Sequence, residues 1–445
     1  MEEGVSSSLT SDCKQFASLS LSLNSSSAQD VISNHDLLSE ILSYVPVRPL
    51  ICFQLVSKQW LSLITSTQFA LLHYRRRRWT SPPSAIFLES EFLLTRGFDT
   101  HMLFVHLNRD KIHKNPFRYS SFLNDSFDPK KVLIMQSCHG LLLCRTGIVV
   151  TQVPLHPRGL FHKKFYVYNP TTNQLATIDL NWSTRMTIHA AVLDFDPSKS
   201  PHYKVVFCVS TPRTRAHQRR FVIYHSETKT WKLSALHSFV PHIILSMSNF
   251  AYFKGSIYWI ITLNVNLVLS YNVDADTSAT LPSPTQKGST FGRRSLYFGE
   301  SAGHLHIAEV FACAASSLDV YELNPDRSGW FIKFKVDLDQ LSKDFPVMSD
   351  NRFTSVNEYA FCVLSLVRGR EDFDEDSVLV LEVPGKVIVY NLVDQSWKEV
   401  YNFCPADKAR GWPCGNFKAI DYNGSLAPAS FCDGQSRPNG LFGMA

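Results

Sequence analysis

His304 and His306 stand two apart in the run AGHLHIA, 302–308. On a strand, alternate residues share a face, so both imidazoles would point the same way, as metal ligands can. No third ligand follows at a motif spacing, which favours a structural pair. Glu371, Asp372, Asp374, Glu375 and Asp376 form the densest acidic group. They lack the alternation and the glycine of a calcium loop, and read as a solvated loop that offers a negative patch. Gly288 and Gly292 have the spacing of a nucleophile elbow, but Thr290 holds the centre and a Pro-rich turn comes before it. There is no HExxH, no P-loop and no GxGxxG. The ten cysteines include no CxxC pair, and Cys144, Cys208 and Cys362 lie in apolar runs where cysteine packs as a small hydrophobe. That usage fits a reducing compartment. The expectation is a non-catalytic chain with no cofactor and no metal.

The elements around these residues must then explain what the chain is for. Of 445 residues, 44% are apolar, 19% are charged and 31 are Phe, a composition that suits a globular protein with much sheet. The net charge of +5 is too modest at this length to argue for nucleic acid. The run Arg75 to Arg78 reads as a solvated helix end ahead of a nuclear import signal. A second basic stretch, Arg213 to Arg220, reads as a loop. Residues 1–29 are Ser-rich and read as a disordered tail without a secretory signal. The apolar region 255–271 is interrupted by Asn264 and Asn266 and reads as two strands, not a membrane span. No membrane partner is expected, and the location expected is cytoplasm, nucleus or both.

Residues 30–75 are helical in pattern. Leu37, Leu38, Ile41, Leu42 and Val45 fall at helical spacing. Pro46 and Pro49 break and restart the chain. Leu50 and Phe53 mark a short second helix, and Val56, Trp60, Leu61 and Ile64 a third. Three short helices cannot hide so many apolar side chains, so some are expected to face a protein partner.

From about residue 85 the pattern turns to strands. One phrase recurs: FYVYNPTTNQL, FVIYHSETKTW, LSYNVDADTSATL, LDVYELNPDRSGW and VIVYNLVDQSW. Its anchors are Tyr168, Tyr224, Tyr271, Tyr321 and Tyr390, at spacings of 56, 47, 50 and 69 residues. A second phrase enters an apolar strand from glycine: CHGLLLC, KGSIYWI and AGHLHIA. Trp231, Trp330 and Trp397 end repeat units and are expected to pack between sheets. Gly-strand, Tyr-strand, turn and Trp-strand describe one small antiparallel sheet. At roughly fifty residues per repeat, 85–420 would hold six or seven blades of a β-propeller, with a twisted β-sandwich as the other architecture. The Gly-, Pro- and Ser-rich residues 421–445 read as a flexible tail.

DLLSEIL, a Val-Pro-Val turn and LVSKQW, in that order, resemble the F-box of plant F-box proteins. Where many such modules open with Leu-Pro, this chain has Ser33 and Asn34, with Ile32 beside them. SCHGLLLC followed by YVYNPTTNQ resembles the F-box-associated domain, related to kelch repeats, that follows the F-box in many of those proteins. The fold this implies is a small three-helix F-box over 30–75 and an all-β propeller-like domain over 85–420. The function it implies is that of a substrate receptor in an SCF-type ubiquitin ligase. Such a chain docks on a Skp-type adaptor, and through it on cullin and RING subunits, while the β domain holds a target whose identity the sequence does not give. The resemblance points to Ile32, Leu37, Ile41, Leu42, Pro46, Val47, Leu50 and Phe53 as adaptor-facing, with Val56 and Trp60 shared between contact and packing. The alternatives are an F-box scaffold, or a glycan- or protein-binding propeller, acting outside a cullin ligase.

Overall fold

The computed structural model describes residues 31–77, 83–90, 102–108, 115–118, 132–146, 164–180, 187–210, 219–234, 250–261, 267–284, 293–311, 316–350, 359–369, 374–403 and 417–431. The Ser-rich stretch 1–29, Gly288, Thr290 and Gly292 lie outside the described residues, as do Glu371 and Asp372.

Among the described residues, a helical stretch at 31–33 is followed by four helices where three are expected: α1 (His35–Ser43), α2 (Val47–Phe53), α3 (Lys58–Thr65) and α4 (Thr67–Arg77). Each start has a local cause. Asn34 accepts from the backbone N–H groups of Asp36 and Leu37 at 3.0 and 3.1 Å and so caps α1. Pro46 starts α2, where a missing N–H costs nothing. Ser57 caps α3 through the N–H of Trp60. Ser66 is extended and ends α3, and its hydroxyl then accepts from Phe69 N–H, opening α4. This break divides the apolar run that the periodicity alone continues.

The β portion is a six-bladed propeller. The first blade pairs β3 (Val132–Cys138), β4 (Leu141–Thr146), β5 (Phe165–Asn169) and β6 (Gln174–Ile178). The second has β7 (Thr187–Asp194), β8 (Lys204–Ser210), β9 (Arg219–His225) and β10 (Thr230–Leu233). The third has β11 (Phe250–Phe253), β12 (Ser256–Ile261), β13 (Leu267–Asn272) and β14 (Thr277–Pro282). The fourth has β15 (Arg293–Ser301), β16 (His304–Phe311), β17 (Ser317–Leu323) and β18 (Trp330–Asp337). The fifth has β19 (Cys362–Val367), β20 (Val378–Val383), β21 (Lys386–Asn391) and β22 (Trp397–Asn402). The sixth joins the two ends of the domain: β1 (Ala85–Ser90) lies between β2 (Leu103–His106) and β23 (Phe417–Tyr422), with Ala85 opposite Tyr422. The innermost strands β23, β3, β7, β11, β15 and β19 touch in a ring. Closure of this kind leaves no free inner edge.

The repeated phrases are the turns of the blades. All five anchor tyrosines lie on third strands. Asn169, Asn272 and Asn391 each follow one of them, and each side-chain oxygen accepts from two N–H groups of the next turn. Five such turns contain a non-glycine residue at positive φ: Asn173, Lys229, Asp276, Arg327 and Gln395. The glycine phrases are tight turns between first and second strands, at His139-Gly140, Lys254-Gly255 and Ala302-Gly303, with positive φ at both residues. Trp231 packs on Phe207 and Tyr224. Trp330 donates to Pro282 O of the preceding blade at 3.0 Å. Trp397 packs at a tilt against Phe345, beyond its own sheet.

Residues 421–445 do not begin as a loose tail. Asp421 and Tyr422 belong to the closing strand, and the segment 423–431 is packed. Asn169 Nδ2 donates to Ser425 O and Ala427 O at 2.9 and 2.7 Å, and the Tyr203 hydroxyl donates to Ala429 O at 3.0 Å. A Cβ on Gly140 would come within 2.1 Å of Ser425 Cβ, so the crossing needs a glycine beneath it.

Candidate interaction surface

The helical module has a small core of its own. Leu38, Leu42, Leu50, Leu63, Ile64, Phe69 and Ala70 cluster there, joined by Leu426 from the packed C-terminal segment. This corrects the expectation for two site residues. Leu42 and Leu50 do not face outward; both are buried, because their helices turn those positions toward α3 and α4.

Other candidates do stand open. Leu37 is 48% exposed and Ile41, one turn later on α1, is 53% exposed. Val56 is 60% exposed in the turn before α3. Phe53 and Trp60 meet edge to face at 5.5 Å, half-buried, so they position the α2–α3 corner. Ile32 is half-buried in the helical stretch 31–33 ahead of α1, and Gln59 donates to its carbonyl at 3.3 Å. Pro46 and Val47 line the cleft between helices and propeller, so they face that cleft. Leu55, Tyr44 and Leu61, all exposed, are missing from the adaptor-facing set read from the sequence, although Leu61 stands among its third-helix positions. Leu55 lies within the LVSKQW motif itself, which was the available signal.

The module is fixed to the propeller from α4. Tyr74 Oη and His139 Nδ1 are 2.9 Å apart, and Arg75 donates to Ser198 O at 3.3 Å. His73 is buried, with Nε2 2.8 Å from Val45 O. The basic run is thus more than a solvated helix end: Arg76 pairs with Glu40 at 2.6 Å and lies over the Tyr44 ring. His139 and Ser198 lie in the first-to-second-strand connections, so the helices sit at that end of the propeller.

The histidine pair of β16 shares a face, as its spacing implies, and the two rings embrace a carboxylate. His304 Nδ1 is 2.9 Å and His306 Nε2 3.2 Å from the oxygens of Glu322, with Arg368 Nε at 3.3 Å. Burial pushes the Glu322 carboxyl up, but the two histidine hydrogen bonds outweigh it and hold the group well below the usual range. Burial also lowers His306. Asp374 pairs with Lys333 at 2.5 Å, so the acidic group is partly held in ion pairs. Among the described residues, no group of His, Cys, Asp and Glu has metal-binding geometry, and no helix is long and apolar enough to cross a membrane.

Residues 34–71 match the F-box domain family, and residues 92–314 match the F-box associated beta propeller domain family. The F-box protein At5g07610 of Arabidopsis thaliana is 32% identical over 395 residues, covering 85% of this chain and 88% of that protein. The F-box/kelch-repeat protein At3g23880 of the same plant is 24% identical over 312 residues, covering 66% of this chain and 77% of its own length.

Proposed function

The chain belongs to the plant F-box proteins that carry an F-box-associated β-propeller, and from that membership we propose that it is the substrate-recognition subunit of an SCF-type ubiquitin ligase. F-box and propeller domains typify non-catalytic adaptor proteins. The F-box docks on a Skp-type adaptor and through it on cullin and RING subunits, and the propeller binds the target. Its contribution to ubiquitination is proximity, which raises the effective concentration of target lysines near the charged conjugating enzyme. The cytoplasm or the nucleus would be the site of action.

The observation that carries this reading is the open apolar surface of Leu37, Ile41 and Val56 beside a core that is already complete without them. Apolar side chains of this size held in water mark a place where another protein removes them from it. Leu42 and Leu50 belong to that core, so they are the wrong positions to test. Replacing Leu37, Ile41 and Val56 together by Asp should weaken co-purification with a Skp-type adaptor at least about 100-fold, roughly 3 kcal/mol. Circular dichroism and the melting temperature should stay close to wild type. Wild-type recovery of the adaptor by this variant would sink the surface assignment.

A further inference from the structure

The propeller axis is open. A cavity of about 1870 Å³ runs from the cleft beneath the F-box into the channel among the innermost strands. Four of those strands carry an extra residue where the register slips: Met135 in β3, His189 in β7, Leu296 in β15 and Leu364 in β19. A β-bulge re-aims a side chain. Met135, Leu296 and Leu364 all line the cavity, as an apolar collar.

Beside the collar lie two carboxyl groups. Asp421 of β23 and Glu300 of β15 both line the cavity, with Ser365 of β19 between their strands. Asp421 Oδ1 is enclosed by protein and makes no hydrogen bond. The same holds for the Oγ of Ser365, a residue only 1% exposed. Enclosure pushes the Asp421 carboxyl up to about 6, with the nearby Ser365 hydroxyl opposing. Glu300 accepts from Gly303 N–H at 2.7 Å, and desolvation raises its carboxyl, Asp421 adding to the effect. Its surface is open to the channel, so water offsets part of that cost. The Tyr297 ring lies over Gly299, where an added Cβ would come within 2.2 Å of its hydroxyl. Burial raises that phenol, and Asp421 and Glu300 raise it further.

Most of the cations that line the same cavity are engaged elsewhere. Lys418 Nζ donates to the carbonyls of Ile134 and Met135 at 3.2 and 2.8 Å. Arg368 faces Glu322 at 3.3 Å. Lys254 Nζ sits over the Phe253 ring at 4.8 Å, from where its charge offsets part of the rise at Glu300, and Arg48 lies by Tyr422. Neither Asp421 nor Glu300 forms an ion pair among the described residues. Enclosing a carboxylate oxygen such as Asp421 Oδ1 without a cation or donor is costly, and a chain keeps it where something else supplies one.

We propose that this cavity binds a cationic hydrogen-bond donor on an apolar stem, an alkyl ammonium or guanidinium. Its charge lies between Asp421 and Glu300, and its stem lies against Met135, Leu296 and Leu364. The group can come from a small free amine or from a lysine or arginine side chain of a peptide. The inference stands on the cavity and does not need the adaptor to dock.

The test titrates the full chain by calorimetry with two probes, agmatine and the tripeptide acetyl-Gly-Arg-Gly-amide, at pH 5 and pH 7. Saturation by agmatine alone identifies a small-amine site, and tighter binding of the tripeptide a peptide site; either supports the proposal. Asp421→Asn should weaken the bound probe at least tenfold at pH 7. Wild-type affinity should fall several-fold from pH 7 to pH 5, because Asp421 takes up a proton as pH drops through about 6 and loses its charge. That pH step should vanish in Asp421→Asn. Glu300→Gln, at a water-exposed position, is a second variant and should lose several-fold. The tripeptide with citrulline in place of arginine should not bind. Absence of binding by both probes, or equal binding of the citrulline peptide, overturns the proposal, as does wild-type affinity in both variants. Adaptor capture by Asp421→Asn should equal wild type, which separates failure here from failure of the ligase reading.

Discussion

The F-box and the propeller treat the same kind of residue in opposite ways. Six of the eleven large apolar side chains that stand exposed among the described residues fall within 37–61, although the propeller is several times longer. In the propeller, each blade offers two faces to two neighbours, so Trp259, Phe207 and Tyr271 vanish from solvent. The F-box has too little volume to enclose its own side chains, and its core closes around Leu38, Leu42 and Leu50 with Leu426 borrowed from the far end of the chain. A repeated fold can cover its own apolar residues; a small helical module leaves a surplus of them in water. What separates core from open surface here is the number of faces available to cover a residue, not the residue type.

The largest effect expected on that contrast comes from Trp259→Ala. The ring is 1% exposed and stacks on Phe221 of the neighbouring blade at 5.7 Å. Truncation should cost about 3–5 kcal/mol, from lost transfer energy and the cavity left behind. Urea denaturation followed by far-ultraviolet circular dichroism measures it. Capture of a Skp-type adaptor at low temperature should not change. A parallel fall in capture would break the contrast, by showing that the F-box surface depends on blade packing.

What the sequence shows of this arrangement follows the range of the interactions involved. The Tyr-Asn turns were legible because cause and effect lie within five residues: the Tyr168 hydroxyl donates to Asn173 at 2.9 Å, and that of Tyr271 to Asp276 at 2.8 Å. The blade count followed from them, within one. Closure was not legible, since pairing Ala85 with Tyr422 leaves no local mark in either strand. The segment 423–431 has the composition of a loose tail, and its order comes from Asn169 and Tyr203, far away in the chain. Within the F-box the apolar positions were legible but their directions were not. Ile41 and Leu42 are neighbours in sequence and about 100° apart on the helix, and one is open to water while the other is core. The channel acids Asp421 and Glu300 carried no motif; only the ring of inner strands brings them together.

Acid should separate the two regions. In the propeller, Glu322 is held ionised below its ordinary range and His306 is held neutral by burial. For His306 the unfolded chain binds the proton more readily, so stability falls as pH drops below the ordinary value of 6.5 toward the folded one. For Glu322 the lowered carboxyl stabilises the fold above the ordinary 4.5, and that contribution is lost below it. In the F-box the described acids, Asp36 and Glu40, are exposed, and His73 is buried against Val45 O. Burial raises the carboxyls of Asp194, Glu300 and Asp421, which works the other way on acidification, so the cluster is read from the difference between pH series of thermal melts of wild type and Glu322→Gln, which should narrow below 4.5. Glu322→Gln should cost about 1–3 kcal/mol at pH 7, because Arg368 and the two histidines lose a charged acceptor. A difference between wild type and variant that stays constant across this pH range would show that the charge on Glu322 contributes no net stability.

The smallest effect bears most directly on how the open surface is held. Leu37 and Ile41 are presented by the first two turns of α1, and Asn34 supplies acceptors for two of the N–H groups that begin it. Asn34→Ala removes those acceptors and should cost about 1 kcal/mol of helix stability. The loss is local: the first turn frays, while Leu42 at the other end of α1 stays in the core. A frayed first turn leaves Leu37 unfixed, and ordering it on binding then takes back part of the contact energy. Adaptor affinity should drop about fivefold, the equivalent of roughly 1 kcal/mol, with the propeller melting temperature unchanged. If affinity is untouched while hydrogen exchange shows the turn open, then Leu37 makes no contact, and the docking surface shrinks to Ile41, Val56 and their neighbours.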